Sequence, residues 1–129
     1  MITFEGFVME DGSPIYAQIL FYIKRGIVAD SIQNGDELPS RRVLSALLGV
    51  NPNTVQKAYR LLEDEGLIAS HAGAKSYVKI TEETKLRIRG ELLAADAQSA
   101  VRTLKQMGVT REQAIELICR YWDGGETNE

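Results

Sequence analysis

Apolar side chains recur every three or four residues over much of the chain, which is the spacing of amphipathic helices. The first such stretch runs from Pro14 to about residue 32, and Asn34 and Gly35 follow it as stop signals. Its expected buried stripe is Ile15, Ile19, Ile23 and Ile27. Residues 1–8 alternate only weakly, so they predict either a short strand or an arm packed on the domain.

Two short helices are predicted to meet at a tight corner around Gly49. The first runs from Arg41 to Leu48, with Ser40 as its N-cap. The second is capped by Asn51 or Asn53 and runs to about Asp64. The first helix carries one apolar face, made of Val43, Leu44, Leu47 and Leu48. The inward face of the second is Val55, Ala58, Tyr59, Leu61 and Leu62. Two short helices joined by a turn that contains glycine predict a helix-turn-helix.

Two short strands are predicted directly after this pair of helices. Residues 67–71 and 76–80 are rich in strand-forming side chains, and residues 72–75 form the turn between them, where Gly73 is free to take positive φ. A hairpin that follows a helix-turn-helix predicts a winged helix.

The pattern changes at Thr81, which is a suitable N-cap for a long helix to about Met107. Thr110 and Gln113 match a capping box for a last helix that ends near Trp122. The stripe of the long helix advances in alternating steps of four and three, the spacing of a coiled coil. Its members are Leu86, Gly90, Leu93, Ala97, Ala100, Leu104 and Met107. The last helix turns Ile118, Tyr121 and Trp122 towards one side.

Charge separates the middle of the chain from its ends. The formal charge of the whole chain is −3, yet residues 38–80 carry a net charge of +3. Residues 38–62 contain four basic side chains and no acidic one. Such a local excess of positive charge is typical of a surface that binds nucleic acid.

The polar face at the start of the second short helix is the candidate for reading DNA, because that helix of the motif enters the major groove. Asparagine and glutamine pair with adenine edges, threonine contacts thymine methyls or phosphates, and lysine contacts guanine or phosphates. The candidates on this face are Asn51, Asn53, Thr54, Gln56 and Lys57, with Arg41 and Arg42 near the DNA backbone. At the wing, Lys75 is the charge at the tip, and His71 fits a phosphate contact as well as a half-exposed strand histidine.

These elements predict a mainly α-helical chain with a small β-hairpin. We expect a winged helix-turn-helix over residues 1–80, with an N-terminal arm over residues 1–12, and a two-helix dimerisation tail over residues 81–129. A two-fold dimer matches a palindromic operator in double-stranded DNA. The predicted dimer interface is Leu86, Gly90, Leu93, Ala97, Ala100, Leu104, Ile118, Tyr121 and Trp122. The alternative is that the tail packs back on its own winged helix.

Three groups of residues carry a resemblance to the DNA-binding domain of the GntR family of bacterial transcription regulators. These are Gly35-x-x-Leu38-Pro39-Ser40-x-Arg42-x-Leu44-Ser45, then Leu48-Gly49-Val50-Asn51-Pro52-Asn53-Thr54-Val55, then Ala58-Tyr59-x-x-Leu62-Glu63-x-Glu65-Gly66-Leu67-Ile68. The opening Pro14-Ile15-Tyr16-x-Gln18-Ile19 fits as well. The short helical tail resembles the YtrA subfamily.

The resemblance implies a dimeric regulator, usually a repressor and often of a transporter operon. The DNA contacts it implies fall on Ser40, Arg42, Asn51, Asn53, Thr54, Gln56, Lys57 and the wing glycine Gly73. The wing departs from the usual pattern at two positions, because Ala72 stands where a basic residue is frequent and Lys75 replaces a second glycine.

Other classes of function find little support in the sequence. We expect no enzyme, because there is no glycine-rich phosphate loop and no Cys/His pair. With one histidine and one cysteine, Cys119, we expect no metal site and no cofactor. The lone cysteine and the lack of a signal peptide or long apolar run indicate a cytoplasmic protein without a membrane segment.

The sequence leaves two further possibilities. A winged helix can also serve as a protein-interaction module without DNA, with its basic side chains meeting an acidic partner. The chain can also have a small-molecule effector, which the sequence does not identify. Because the tail is too short for a separate sensing domain, an effector would bind between the long helix and the winged helix, or at a dimer seam lined by Tyr121 and Trp122.

Overall fold

The computed structural model describes residues 1–70 and 75–124, and the elements in this part of the chain confirm the mainly helical fold with a small hairpin. They are α1 (Ile15–Val28), α2 (Arg41–Leu48), α3 (Pro52–Asp64), β1 (Ile68–Ser70), β2 (Ser76–Val78), α4 (Glu82–Gln106) and α5 (Arg111–Trp122). The chain forms two compact units, Met1–Gly90 and Glu91–Glu129. The predicted division of roles between residues 1–80 and 81–129 stays a prediction.

Local side-chain hydrogen bonds begin the two helices of the helix-turn-helix. The Ser40 hydroxyl accepts from the Val43 amide at 3.1 Å and caps α2. Gly49 ends α2 at a φ of 71°, a left-handed conformation that costs glycine little. The Asn51 side-chain oxygen then accepts from the Asn53 amide at 2.7 Å and caps α3. Both caps satisfy helix N–H groups that would otherwise lack a partner.

The apolar face of α2 is not buried as a whole. Leu44 and Ser45 are buried and Leu48 is half-buried, but Val43 and Leu47 are 57% and 66% exposed. Successive residues are about 100° apart around a helix, so Leu44 and Ser45 together turn the buried edge away from Val43 and Leu47. The sequence pattern alone did not decide whether the side with Val43 and Leu47 or the side with Leu44 and Leu48 faces the core.

The core of the first unit is centred on α3. Tyr59 is fully buried, and its hydroxyl donates to the backbone oxygen of Pro39 at 2.7 Å. The other side chains buried to the same extent come from α1, α2, α3, the segments beside the hairpin, and α4; they are Ile19, Ile23, Leu44, Val55, Ala58, Leu62, Leu67 and Ile88.

Helix α1 ends at Val28, four residues earlier than predicted. Asp30 has a φ of 67°, which turns the chain so that Ile32 enters the core. Gly26 allows this return, because a Cβ on it would lie 2.5 Å from Cδ1 of Ile32. Ile32 is therefore apolar because it is buried in the core, although the helix has already ended.

The N-terminal residues form an arm on α1, which resolves the alternatives left open for residues 1–8. Ile2 and Phe4 are buried, and the Ile2 amide donates to the Glu37 oxygen at 2.8 Å. The Phe4 ring stacks on Tyr22 with centroids 4.8 Å apart, and Phe7 meets Tyr22 edge-on. The arm therefore contributes aromatic side chains to the core.

The hairpin is shorter than predicted, and residues 35–38, which link α1 to α2, pair with its second strand. Strand β1 pairs antiparallel with β2, with Ile68 opposite Val78 and Ser70 opposite Ser76. The Leu38 amide donates to the Ser76 oxygen at 2.9 Å, and the Val78 amide donates to the Asp36 oxygen at 2.8 Å. The link thus covers the outer edge of β2.

The first turns of α4 are attached to the end of α1. The Thr81 hydroxyl accepts from the Thr84 amide at 3.1 Å, which confirms Thr81 as the cap. Lys85 of α4 donates to the Asp30 carboxylate, and this hydrogen bond raises the pKa of Lys85. The Asn34 side chain also accepts from the Ile80 amide at 2.8 Å.

The second unit buries few of its own side chains. Thr110 and Gln113 form the predicted capping box at the start of α5. No residue of α5 is buried, although it carries Ile115, Ile118, Tyr121 and Trp122. None of the helices in the described part of the chain is long and apolar enough to cross a membrane.

The N-terminal arm should contribute strongly to stability. We expect Phe4→Ala to lower the free energy of unfolding by about 3 kcal/mol, because it removes a buried ring and leaves a cavity. Val8→Ala is the matched control in the same segment, since Val8 is exposed, and it should change stability by less than about 0.5 kcal/mol. Urea unfolding measures both. Equal, small changes would show that the arm is dispensable.

Candidate nucleic-acid interface

The N-terminal end of α3 presents the polar side chains expected to face DNA. Asn51, Asn53, Gln56 and Lys57 are exposed, and Thr54 is half-buried. The Asn51 oxygen already serves as the cap, which leaves its NH₂ group as the part of that side chain able to contact another molecule. The exposed face therefore offers amide donors and acceptors together with one cation.

The side chain of Arg41 is half-buried and held in place, unlike that of a fully exposed arginine. Its guanidinium carbon lies 5.1 Å from the centroid of the Tyr59 ring, and its Nε is buried without a hydrogen-bond partner. Burial raises the pKa of the Tyr59 phenol, and Arg41 partly opposes that shift. The neutral ring thus holds Arg41 by a cation–π contact at the start of α2.

Arg42 and Ser40 lie beside Arg41 at the start of α2. Both are exposed. Ser40 accepts the capping hydrogen bond through its oxygen, but its hydroxyl hydrogen can still be donated to another group. The start of α2 and the start of α3 thus both present polar atoms to solvent.

Lys57 is held by an aromatic ring that the sequence reasoning did not include in the site. Its Nζ lies 4.0 Å from the centroid of the Tyr16 ring, in the second position of α1. The opening Pro-Ile-Tyr-x-Gln-Ile contained Tyr16. Sequence spacing alone gave no sign that this ring contacts α3, since 40 residues separate it from Lys57.

At the wing, Lys75 forms an ion pair that the sequence reasoning also missed. Its Nζ lies 3.3 Å from a carboxylate oxygen of Glu37, and the lysine side chain is 76% exposed. The Glu37 carboxylate partly offsets the positive charge of Lys75. A DNA phosphate would have to compete with this carboxylate for the lysine. His71 and Gly73 lie outside the described residues, so their DNA contacts stay predictions.

The predicted dimer interface is exposed along both helices of the tail. In α4, Leu86, Gly90, Leu93, Ala97 and Ala100 are exposed and Leu104 is half-buried; in α5, Ile118, Tyr121 and Trp122 are exposed. Within the second unit, an apolar groove of about 510 Å³ lies between α4 and α5 and is lined by Ala97, Ala100, Leu104, Ile115 and Ile118, among others. These surfaces are available to a partner.

Across residues 1–70 and 75–124, no three His, Cys, Asp or Glu side chains come together in a way that could hold a metal ion. Cys119 is a free, exposed cysteine.

Known proteins with similar sequences and folds are transcription regulators. The family model of the gntR bacterial regulatory proteins matches residues 15–78. The chain is 40% identical over 106 residues to the HTH-type transcriptional repressor YtrA of Bacillus subtilis, covering 81% of this chain and 77% of that protein. It is 31% identical over 120 residues to the HTH-type transcriptional regulator YhcF of the same organism, covering 90% and 96%.

Two solved structures agree with this similarity. A GntR family transcriptional regulator from Listeria monocytogenes has a TM-score of 0.75 at 28% identity, covering 87% of this chain and 98% of that chain. YtrA from Sulfolobus acidocaldarius, a GntR-family transcription factor, has a TM-score of 0.54 at 29% identity, covering 92% and 97%. These relatives are transcription regulators and not enzymes.

Asn51 allows the capping role to be separated from a contact with another molecule. We expect Asn51→Ala to lower the free energy of unfolding by about 1 kcal/mol, because the Asn53 amide loses its acceptor. Asn51→Asp should keep the wild-type stability, since a carboxylate caps as well and suits the positive end of the helix. Thermal unfolding tests both variants. A loss in Asn51→Asp as large as in Asn51→Ala would contradict the capping role.

Proposed function

Because the chain belongs to the GntR family of bacterial regulatory proteins, and within it to the YtrA-like regulators, we propose that it is a homodimeric repressor that binds a palindromic operator. Its general role is transcription regulation through a DNA-binding winged helix. The dimer, the operator and the sense of regulation are the specific parts of the proposal. The resemblance favours an operon for a transporter as the target.

The positive charge of residues 38–62, combined with the exposed start of α3, is the main support for a DNA-binding face on these two helices. This stretch has four basic side chains and no acidic one in a chain of net charge −3. A phosphate backbone attracts such a surface, and the exposed amides of Asn53 and Gln56 suit base edges in the major groove. Charge brings the face to DNA, and the amides select the sequence.

The proposal divides the contacts by chemistry. Asn51, Asn53, Thr54 and Gln56 read the groove from the start of α3. Phosphates of the flanking backbone are bound by Ser40, Arg41, Arg42 and Lys57, and, at the wing, by Lys75, His71 and the backbone of Gly73. The ion pair with Glu37 offsets part of the Lys75 charge, which makes the wing contact weaker than those of α2.

A homodimer is favoured by the unburied apolar surface of the second unit. Helix α5 buries none of its residues, and Trp122 is 82% exposed. Contiguous exposed apolar surface of this kind marks an interaction site. A second copy supplies the same two helices around a two-fold axis, and aromatic side chains such as Tyr121 and Trp122 are frequent anchors of such interfaces.

Repression is supported by the relative YtrA of Bacillus subtilis, which is named a transcriptional repressor. A dimer on an inverted repeat that overlaps a promoter excludes other proteins from the same DNA. Footprinting of the DNA upstream of the chain's own operon would give the operator. Protection of an inverted repeat is the expected result, and no protection would favour an interaction module without DNA.

Two kinds of variant should separate phosphate contacts from base contacts. Arg42→Ala should weaken binding equally on operator and unrelated DNA and reduce the slope of log K against log salt by about 1. Asn53→Ala or Gln56→Ala should instead cost about 1–3 kcal/mol of discrimination against altered bases, at an unchanged salt slope. Fluorescence anisotropy over a salt series measures both. Wild-type behaviour in all three variants would place the DNA on another face.

The homodimer can be tested by one charge placed in the apolar surface of α5. We expect wild type to have twice the 14.3 kDa mass of the chain and Ile118→Glu to be a monomer, because a carboxylate cannot be buried unpaired. Light scattering gives the mass. The control Arg120→Glu, on the polar side of α5, should remain a dimer. A monomeric wild type would refute the homodimer.

A further inference from the structure

We propose that Tyr16 is a positioning residue that aims the Lys57 ammonium group at a DNA phosphate. The inference rests on the proposed function and adds a residue outside the helix-turn-helix to its binding face. Lys57 Nζ lies 4.0 Å from the centroid of the Tyr16 ring. At this distance the negative face of the ring attracts the cation.

The ring is the better-fixed member of this pair. Tyr16 is half-buried and packs against the buried core, whereas Lys57 is exposed. A free lysine side chain has many rotamers, and a contact with DNA would have to select one of them. The ring already restrains Lys57 in the absence of DNA, so less conformational freedom remains to be lost on binding.

An aromatic ring restrains a lysine without neutralising it, and this distinguishes Lys57 from other lysines of the same unit. Lys75 is paired with Glu37 at 3.3 Å, and Lys24 is paired with Glu65 at 2.8 Å. A phosphate must compete with a carboxylate for either of them. The ring of Tyr16 carries no net charge, so Lys57 keeps its positive charge and its N–H donors for a phosphate.

The direction of the side chain favours a phosphate over a base. Lys57 leaves α3 in its second turn and reaches back to the second residue of α1. Its ammonium group is therefore held beside the Tyr16 ring of another helix, whereas we assign Asn51 and Asn53 at the start of α3 to the groove. Phosphates border the groove on both sides of an inserted helix, and the start of α1 marks the side to which Lys57 points.

A double-mutant cycle tests the assignment. We expect Lys57→Met to weaken binding on operator and unrelated DNA alike and to reduce the salt slope by about 1. Tyr16→Leu should weaken binding about threefold, the size expected for an exposed cation–π pair. In the Lys57→Met background, Tyr16→Leu should have no further effect. Tyr16→Phe keeps the ring and should bind DNA as wild type does.

Phe21→Leu is the matched control. It removes a ring from the same helix that also lies near a lysine, with Lys24 Nζ 5.6 Å from its centroid. Lys24 is paired with Glu65 and is not part of the proposed DNA face, so Phe21→Leu should leave DNA affinity unchanged. An equal loss in Phe21→Leu and Tyr16→Leu would mean that α1 acts only through stability, and would overturn the proposal.

Three other results would also overturn it. A loss in Tyr16→Phe as large as in Tyr16→Leu would make the hydroxyl itself the DNA contact. Tighter binding in Tyr16→Leu would mean that the ring withholds Lys57 from DNA. Additive effects of Tyr16→Leu and Lys57→Met would remove the coupling between the two side chains. If wild type binds no DNA at all, the proposed function itself fails.

A measurement on the free protein covers the case in which Tyr16→Leu does not fold. In NMR spectra of lysine-labelled protein, the ring current of Tyr16 should shift the ε-methylene protons of Lys57 upfield. Lys57→Met identifies the signal by its disappearance, and Tyr16→Phe should retain the shift. An ordinary lysine position for this signal in the wild-type protein would refute the contact independently of DNA.

Discussion

The proposed binding face depends on how α3 is held in the first unit. Val55, Ala58, Tyr59 and Leu62 are buried without remaining exposure, so one side of α3 is committed to the core and the opposite side is left to solvent. The hydrogen bond from Tyr59 to the Pro39 oxygen ties the same helix to the segment that begins α2. A buried phenol without its acceptor would be costly, so this bond helps to hold α3 against the segment before α2.

Neutral aromatic rings also organise the cations of this unit. Tyr59 lies under Arg41 and Tyr16 lies under Lys57, and both rings are anchored by the core that positions α3. An aromatic contact orients a cation while leaving its charge intact, whereas the carboxylate of Glu37 orients Lys75 and offsets its charge. The same packing that stabilises the fold therefore influences which positive charges are available for binding.

In the second unit, by contrast, the apolar side chains of an amphipathic helix are left exposed. Its last helix, α5, begins with a complete capping box at Thr110 and Gln113, but local hydrogen bonds cannot bury an apolar face. Ile118, Tyr121 and Trp122 remain exposed. Helix formation is thus encoded within this segment, while burial of its side chains requires another surface, for which a second copy is our proposal.

By itself, the sequence determined which elements form and where several helices begin, because caps and apolar spacing act over a few residues. Ser40 and Thr110 begin their helices where the pattern predicted, and Asn51 is the cap among the two candidates Asn51 and Asn53. It also identified the exposed polar start of α3. Only the tertiary structure decided which edge of α2 is buried, that α1 ends before Ile32, and that Tyr16 and Glu37 reach Lys57 and Lys75. These outcomes depend on contacts between residues far apart in the chain, and the spacing of apolar and polar residues carries no information about which distant side chain will be the neighbour.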